Sequence, residues 1–280
     1  MSDIAIIGAG ELGGSVAHVV ARQNLVPTIC LIDDAGRVAE GKALDISQAA
    51  PIEGFATMLS GSTDLASAGG AAAIVIADRA AGVEWAGDDG LMLLRRLSRL
   101  APKAVIVCAG PSQRDLVERG VRELHFRRER LLGSAPEALV STARALIALT
   151  INSSPRDVAL SVLGLPPSLI VLPWNDATVG GFPLTSVVDE PTRRQLHRQI
   201  EAAWPPGPYA LAAAASKALE AMFHRTQTVV SCYVAPDDSA GTRTRTAALP
   251  VRIGPAGIER VMVPSLSAVD RIALDNAMLL

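Results

Sequence analysis

The chain contains few aromatic residues, few cysteines and few histidines. Trp, Tyr and Phe make up only 3% of its 280 residues, although 49% of the residues are hydrophobic. The core must therefore be built mainly from Ala, Val, Leu and Ile. The three cysteines, Cys30, Cys108 and Cys232, are isolated and lack metal-site spacing, so we expect buried free thiols and no metal site.

The chain also lacks a strong charge and a long uninterrupted apolar run. Its net charge of −2 argues against a nucleic-acid or membrane-surface partner. The longest uncharged window, residues 158–175, contains Gly164, Pro166, Pro167 and Pro173, which do not suit a membrane helix. No basic segment precedes the first apolar run, so we expect no secretory signal and a cytoplasmic protein.

The first thirty residues contain a nucleotide-binding fingerprint. An apolar run at 4–7 is followed by Gly8, Gly10 and Gly13 in G-x-G-x-x-G spacing, and then by a predicted helix over 15–23. In such a turn the first glycine permits the tight bend and the second lets backbone N–H groups approach a pyrophosphate. The third lets the helix pack closely on the strand. The N-terminus of that helix favours a phosphate anion.

A second apolar run, residues 28–32, ends in Asp33, twenty positions after Gly13. This carboxylate can accept hydrogen bonds from a ribose diol and would repel a 2′-phosphate. A glycine-tolerant turn without a ligand is the alternative, but it does not explain Asp33. The combined pattern predicts an NAD site, and the residues expected to contact the cofactor are Gly8, Gly10, Glu11, Leu12, Gly13 and Asp33.

Beyond this fingerprint, residues 33–64 resemble the NAD-dependent malate and lactate dehydrogenase family. The similarity rests on Asp33, on residues 41–45 and 51–55, and on Gly61. It continues over nearly the whole chain, closer to the malate branch, at residues 103–111, 126–133, 153–164, 179–184 and 248–271. The chain is shortened after residue 77 and between residues 190 and 209.

The resemblance implies an α/β protein with two domains. We expect a Rossmann dinucleotide-binding domain at 1–133 and an α+β substrate-type domain at 134–280, with the active site between them. The local patterns agree, because strand and helix signals alternate as far as about residue 133. Further on, strands are predicted near 228–235 and 242–263, and helices at 210–223 and 266–280. The family also implies a homodimer or homotetramer, packed through the helices at 37–50 and 210–223.

The family's chemistry needs a His that moves the hydroxyl proton, a carboxylate that orients it, and an Arg that clamps the substrate carboxylate. Pro166 stands where the resemblance places the His. Leu139 and Thr142 stand where the carboxylate and the clamping Arg are expected. A shift of two residues supplies Arg144 but no Asp. Proline cannot titrate, so the acid–base group is missing.

The mobile loop of the family, which carries an Arg that polarises the reacting carbonyl, is altered as well. Gly82 and Asp88 occupy the places of its two arginines. Asp78 and Arg79 replace a small pair beside the nicotinamide, and Gly110 replaces an Asn near the nicotinamide ribose. The positions around adenosine and pyrophosphate are thus retained, whereas those around nicotinamide and substrate are replaced.

Substitute catalytic groups are few. Asp78, Arg79 and Arg144 are weak candidates, and an Asp78–Arg79 ion pair that plugs an unused cleft is at least as good an interpretation. The four histidines, at positions 18, 125, 197 and 224, read as packed or solvated.

Three functions therefore remain open. The first is an NAD-binding protein without dehydrogenase chemistry, acting as a sensor, a scaffold or a partner subunit. The second is an NAD-dependent oxidoreductase with a rearranged site, acting on a 2-hydroxy or 2-oxo acid or another small substrate. The third is a protein of the same fold that binds another adenine nucleotide or nothing.

Overall fold

The computed structural model describes residues 3–224, 228–237 and 244–279. Strands and helices alternate in its first half, and short strands dominate the second. The strands are β1 (Ile4–Ile7), β2 (Thr28–Ile32), β3 (Met58–Ser62), β4 (Ala73–Ile76), β5 (Val105–Cys108), β6 (Leu131–Gly133), β7 (Val158–Ala159), β8 (Leu163–Leu165), β9 (Leu169–Val171), β10 (Thr178–Val179), β11 (Phe182–Pro183), β12 (Val229–Val234), β13 (Ala247–Gly254) and β14 (Gly257–Val261). The helices are α1 (Glu11–Arg22), α2 (Gly36–Glu53), α3 (Gly87–Leu100), α4 (Arg114–Leu124), α5 (Ala135–Thr150), α6 (Glu190–Ala202), α7 (Pro208–Phe223) and α8 (Ala268–Met278).

Six strands of the first half form a parallel sheet in the order β3-β2-β1-β4-β5-β6. The central strands β1, β4 and β5 are buried along their whole length. Helices cover both faces of such a sheet, which is why these strands are continuous runs of Ile, Val, Ala and Cys. The expected doubly wound, Rossmann-type arrangement is confirmed.

The sheet continues into the second half of the chain, where its strands pair antiparallel instead of parallel. Strand β12 pairs antiparallel with β6, and the order then runs β12-β13-β8-β9, with β14 also on β13. A small separate sheet has the order β11-β10-β7. The division into domains at 1–133 and 134–280 remains a proposal, and this change from parallel to antiparallel pairing supports it.

The core consists mainly of aliphatic side chains, as the composition predicts. Helix α7 packs against both α1 and α5, and the contacting faces are rich in Ala. Small side chains allow helix backbones to approach closely. All three cysteines are buried and free, as expected, and burial raises the pKa values of Cys108 and Cys232. Across the described ranges, no helix combines the length and apolar character needed to cross a membrane.

Several predicted boundaries differ from the structure. Helix α1 begins at Glu11 rather than at residue 15, because the low helix propensity of the glycines in its first turn hid its start. Helix α2 continues through Pro51 and ends at Gly54, which has φ of 78°. A proline in the last turn removes only one helix hydrogen bond, whereas the left-handed glycine stops the helix. Residues 242–243 and 280 of the predicted strand and helix lie outside the described ranges.

Candidate functional site

The predicted cofactor residues meet where the central parallel strands end. Gly8 follows β1 directly and Asp33 follows β2, while Asp78 and Gly110 each lie two residues beyond β4 and β5. Because β2, β1, β4 and β5 are neighbours in one parallel sheet, all four residues lie along one edge. The carboxyl edge of such a sheet is where these folds bind ligands.

The glycine turn after β1 is covered by Asp78. The N–H of Gly13 donates to Asp78 Oδ1 at 3.0 Å, and the N–H of Gly10 donates to the Asp78 main-chain oxygen, also at 3.0 Å. A Cβ atom added at Gly10 would overlap the Asp78 carboxylate, and one added at Gly8 would overlap the Asp78 carbonyl. An anionic side chain therefore lies at the N-terminus of α1, where the free N–H groups favour negative charge.

The two remaining residues of the predicted turn begin helix α1. Glu11 is exposed on the first turn, and Leu12 is only 4% exposed because its side chain packs into the core. Leu12 can therefore offer a ligand only its backbone N–H. Lys42, from α2, donates to the main-chain oxygen of Gly10 and holds the turn from the other side.

The Asp33 carboxylate accepts hydrogen bonds from three backbone N–H groups. Its Oδ2 atom accepts N–H bonds from Ala9 and Ala80, both at 2.8 Å, and its Oδ1 atom accepts one from Ala35 at 2.9 Å. The residue is buried. The carboxylate predicted to receive a ribose diol is thus occupied by backbone donors in this structure.

The chain between β4 and α3 folds back as a short hairpin over this edge. Asp78 and Glu84 pair as an antiparallel bridge, and the N–H of Arg79 donates to the Val83 carbonyl at 2.9 Å. Gly82 closes the turn with φ of 78° and donates its N–H to the Arg79 carbonyl at 2.7 Å. We call residues 78–84 the 78–84 hairpin.

Asp78 and Arg79 contact different partners rather than each other. The Arg79 guanidinium carbon lies 3.7 Å from the centroid of the Trp85 ring, and Nη2 lies 3.4 Å from an oxygen of Asp89. Stacking of this kind fixes a guanidinium on an aromatic face. The ion-pair interpretation of Asp78–Arg79 is therefore wrong, because the two side chains leave the hairpin in different directions.

Glu84, which no sequence pattern singles out, lies beside the carboxyl end of β5. Its Oε2 atom accepts the N–H of Ser112 at 3.1 Å, and the carboxylate fills the space that a Cβ at Gly110 would take. Burial raises the pKa of the Glu84 carboxyl, the Ser112 hydrogen bond opposes this, and the charge of Asp78 adds to it. Asp78 and Glu84 thus place two carboxylates along the carboxyl edge of the sheet between β1 and β5, which we call the groove.

The expected substrate positions in the second half hold no catalytic group. Pro166 follows β8 directly. Leu139 is fully buried in the core, and the Thr142 hydroxyl donates to the Ala138 carbonyl of its own helix at 3.1 Å. The Arg144 guanidinium donates at 3.0 and 3.3 Å to the main-chain oxygens of residues 155 and 156.

Sequence reasoning also missed a buried acid in this half. Glu137 is 6% exposed, accepts the N–H of Ser231 at 2.8 Å and forms an ion pair with Lys217. These residues, with Arg144, line a cavity of about 220 Å³. Lys217 lies 80 positions from Glu137, so no local pattern could have revealed the pair.

The histidines lie on other elements. His18 and His197 contact Glu53 and Glu201, at 2.9 and 3.4 Å. His125 caps the end of α4 and His224 follows α7. The described residues therefore bring no imidazole to the end of β8.

No protein-family model matches the chain. The malate dehydrogenase of Desulforudis audaxviator is 28% identical over 292 residues, covering 98% of this chain and 94% of that protein. The malate dehydrogenase of Salinibacter ruber is 26% identical over 298 residues, covering 98% and 93%. A solved malate dehydrogenase structure from Salinibacter ruber gives a TM-score of 0.88 at 23% identity, covering 98% of this chain and 93% of that one. A lactate dehydrogenase from Cryptosporidium parvum, solved with lactic acid and NAD, gives the same values. This likeness shows that the chain has their fold.

Proposed function

The chain is a protein of the malate and lactate dehydrogenase family, and from that premise we propose that it binds NAD(H) without catalysing the standard 2-hydroxy acid reaction. Its role would be that of a sensor, a scaffold or a partner subunit. The proposal separates two parts of one site, a cofactor half that is retained and a chemical half that is replaced.

The cofactor half is supported by the anion that the glycine turn already holds. The Asp78 carboxylate accepts the Gly13 N–H, and this contact supports the proposal that the turn can hold an anionic oxygen. The pyrophosphate of NAD would take this place against Gly8, Gly10 and Gly13, and its adenosine ribose would reach Asp33. The bound nicotinamide would supply a carbon that accepts or donates hydride.

The observation that carries the loss of chemistry is Pro166 at the end of β8. A 2-hydroxy acid can lose hydride only if its hydroxyl proton is taken up, and the ring nitrogen of proline, a tertiary amide in the chain, cannot accept that proton. Leu139, which is buried in the core, stands where the resemblance expects the carboxylate that would orient an imidazole. Arg79 stacks on Trp85, and Arg144 is held by main-chain carbonyls, so neither stands free to clamp a carboxylate.

Two measurements test this proposal. NADH fluorescence titration and thermal stabilisation should report binding, while NADH consumption with oxaloacetate or pyruvate should be negligible. Loss of an acid–base His alone typically removes about 10²–10⁴ in rate. Pro166→His alone should not restore turnover, because the orienting carboxylate and the loop Arg are also missing. Steady reduction by the wild type above about one turnover per second, the low end for ordinary enzymes, would overturn the proposal.

An oxidoreductase with a rearranged site is the alternative, and Glu84 favours it. This carboxyl, whose pKa is raised by burial, lies at the carboxyl end of β5, where a proton donor could serve a bound substrate. Turnover with a panel of 2-oxo and 2-hydroxy acids that is lost in Glu84→Gln would support it. If the protein turns over none of these acids, the first proposal stands.

We also propose a homodimer or homotetramer in the cytoplasm. Leu44 and Ile52 on α2 are 61% and 88% exposed, which supports the predicted use of this helix as an interface. The apolar face of α7 instead packs against α1 in the same chain. The three buried free thiols suit a reducing compartment. The net charge of −2 gives no reason to expect a nucleic-acid partner.

A further inference from the structure

We propose that the Asp78 carboxylate is an internal competitor of the cofactor pyrophosphate, so that the 78–84 hairpin must leave the groove before a dinucleotide can bind. This inference rests on the proposed NAD site. It adds that the affinity of that site is set by a segment of the chain itself.

The competition follows from shared donors and shared space. Asp78 Oδ1 accepts the Gly13 N–H at 3.0 Å, which is one of the N–H groups a pyrophosphate would need. The carboxylate also fills the volume beside Gly10 that the missing side chain leaves open for a phosphate. Two anions cannot share one such site, because like charges in contact repel strongly where water is excluded.

The hairpin also occupies the ribose acceptor. The N–H of Ala80 donates to Asp33 Oδ2 at 2.8 Å, on the carboxylate that would receive the ribose hydroxyls. A ribose hydroxyl can replace this donor only if Ala80 moves away. Displacement therefore exchanges one hydrogen bond for another at Asp33, while it exchanges a carboxylate for a phosphate at Gly13.

A third contact is made by the other strand of the hairpin. Glu84 accepts the Ser112 N–H at 3.1 Å and fills the space beside Gly110, at the end of β5. Asp78 and Glu84 are cross-strand partners in the hairpin. One small unit thus covers the groove from β1 to β5, and its contacts should be released together.

The exposed tip of the hairpin would allow it to move out of the groove. Its tip is exposed at Ala81, Gly82 and Val83, and Val83 is 57% exposed. Little apolar surface is therefore buried by the tip, and polar contacts hold the segment in place. Segments of this kind open at low cost without unfolding the domain.

The decisive variant is Asp78→Asn, which keeps the size of the side chain but removes its charge. Asp88→Asn is the matched control, since Asp88 is exposed on α3 and pairs with Arg119 outside the hairpin. Calorimetric titration with NADH and with ADP should show Asp78→Asn binding roughly ten- to a hundredfold more tightly than wild type, the size of a charged hydrogen bond. Asp88→Asn should stay within about twofold, the range of a surface change. Adenosine, which has no phosphate, should gain much less.

Trp85 offers a second readout that does not depend on an affinity. It follows the hairpin directly and carries the Arg79 guanidinium on its ring. Adding ADP should change the tryptophan emission of the wild type as the hairpin leaves, and Trp85→Phe should remove that change. If Asp78→Asn does not fold, Asp78→Ala, which also removes the carboxylate, should show a gain in affinity in the same direction.

The outcomes separate this inference from the proposed function. Wild type that binds NADH with an affinity unchanged by Asp78→Asn and Asp78→Ala would overturn the internal competitor and leave NAD binding intact. Failure of NADH and ADP to bind the wild type and both folded variants would overturn both proposals. Tighter binding in Asp78→Asn, with Asp88→Asn unchanged and a Trp85 signal on binding, would support both.

Discussion

Replacing Asp33 should weaken the fold even when no nucleotide is present. Its carboxylate accepts three backbone N–H bonds, from Ala9 and Ala80 at 2.8 Å and from Ala35 at 2.9 Å, and the residue is 8% exposed. A hydrogen bond to a charged group contributes roughly 1.5–3 kcal/mol. Three donors on one carboxylate act as a unit, so these values do not add. We therefore expect Asp33→Ala to lower the free energy of unfolding by about 3–5 kcal/mol.

Two further variants make this measurement specific. Asp33→Asn should lose less, about 2–3 kcal/mol, because it keeps one acceptor oxygen but turns an amide NH₂ towards a backbone donor. Asp34→Asn removes the same charge from the exposed neighbouring residue and should change stability by no more than about 0.5 kcal/mol. Urea unfolding of the ligand-free proteins, followed by circular dichroism, gives all three values.

The result separates two roles for the same carboxylate. A loss below about 1 kcal/mol for Asp33→Ala, the size of one ordinary hydrogen bond, would refute the reasoning, because the N–H bonds would then be absent in solution. A large loss would show that Asp33 supports the turn and the hairpin. Relaxed preference for NAD over NADP in Asp33→Ala would then be measured on the fraction that remains folded.

Three other changes test separate contacts. Gly10→Ala should lower stability by about 1–3 kcal/mol by overpacking against the Asp78 carboxylate, and most of this loss should vanish in an Asp78→Ala background; equal losses in both would contradict the contact. Glu84 has a raised pKa, so its ionisation opposes folding, and Glu84→Gln should gain stability relative to wild type as the pH rises from about 4 to 7. Unfolding curves in which the stability difference between Glu84→Gln and wild type does not change over this pH range would refute this prediction. Leu44→Glu should reduce the mass seen by light scattering to that of a monomer, whereas Leu149→Glu, at another exposed leucine, should not; a monomeric wild type would remove the idea.

The sequence predicts best where neighbours along the chain decide the structure. The apolar run at β1, the glycines and Asp33 are linked by local spacing, and the structure brings them to one edge of the sheet. The terminal helix at 266–280 and the helix at 210–223 were also predicted from local periodicity, and α8 and α7 occupy those places. In each case the local preference and the tertiary environment favour the same conformation.

The hairpin could not be predicted in this way. The segment from Asp78 to Glu84 has no hydrophobic period, and its turn depends on a glycine that reads as an ordinary loop residue. Its position is decided by Gly13 and Ser112, which lie far away in sequence but at neighbouring strand ends. Glu84 was missed for the same reason, since only the closeness of β4 and β5 gives that carboxylate a partner.

The Asp78 carboxylate fills the space that a Cβ atom at position 10 would need. This contact changes what a glycine fingerprint indicates. In the usual interpretation, a G-x-G-x-x-G turn lacks side chains because a ligand needs the room. Here the room is filled by the protein's own carboxylate, so a bulkier residue at position 10 would be harmful even in a cell that contained no dinucleotide. Retention of these glycines among future variants of this chain would therefore say nothing by itself about cofactor use. Joint replacement of position 10 and position 78 would be the informative event.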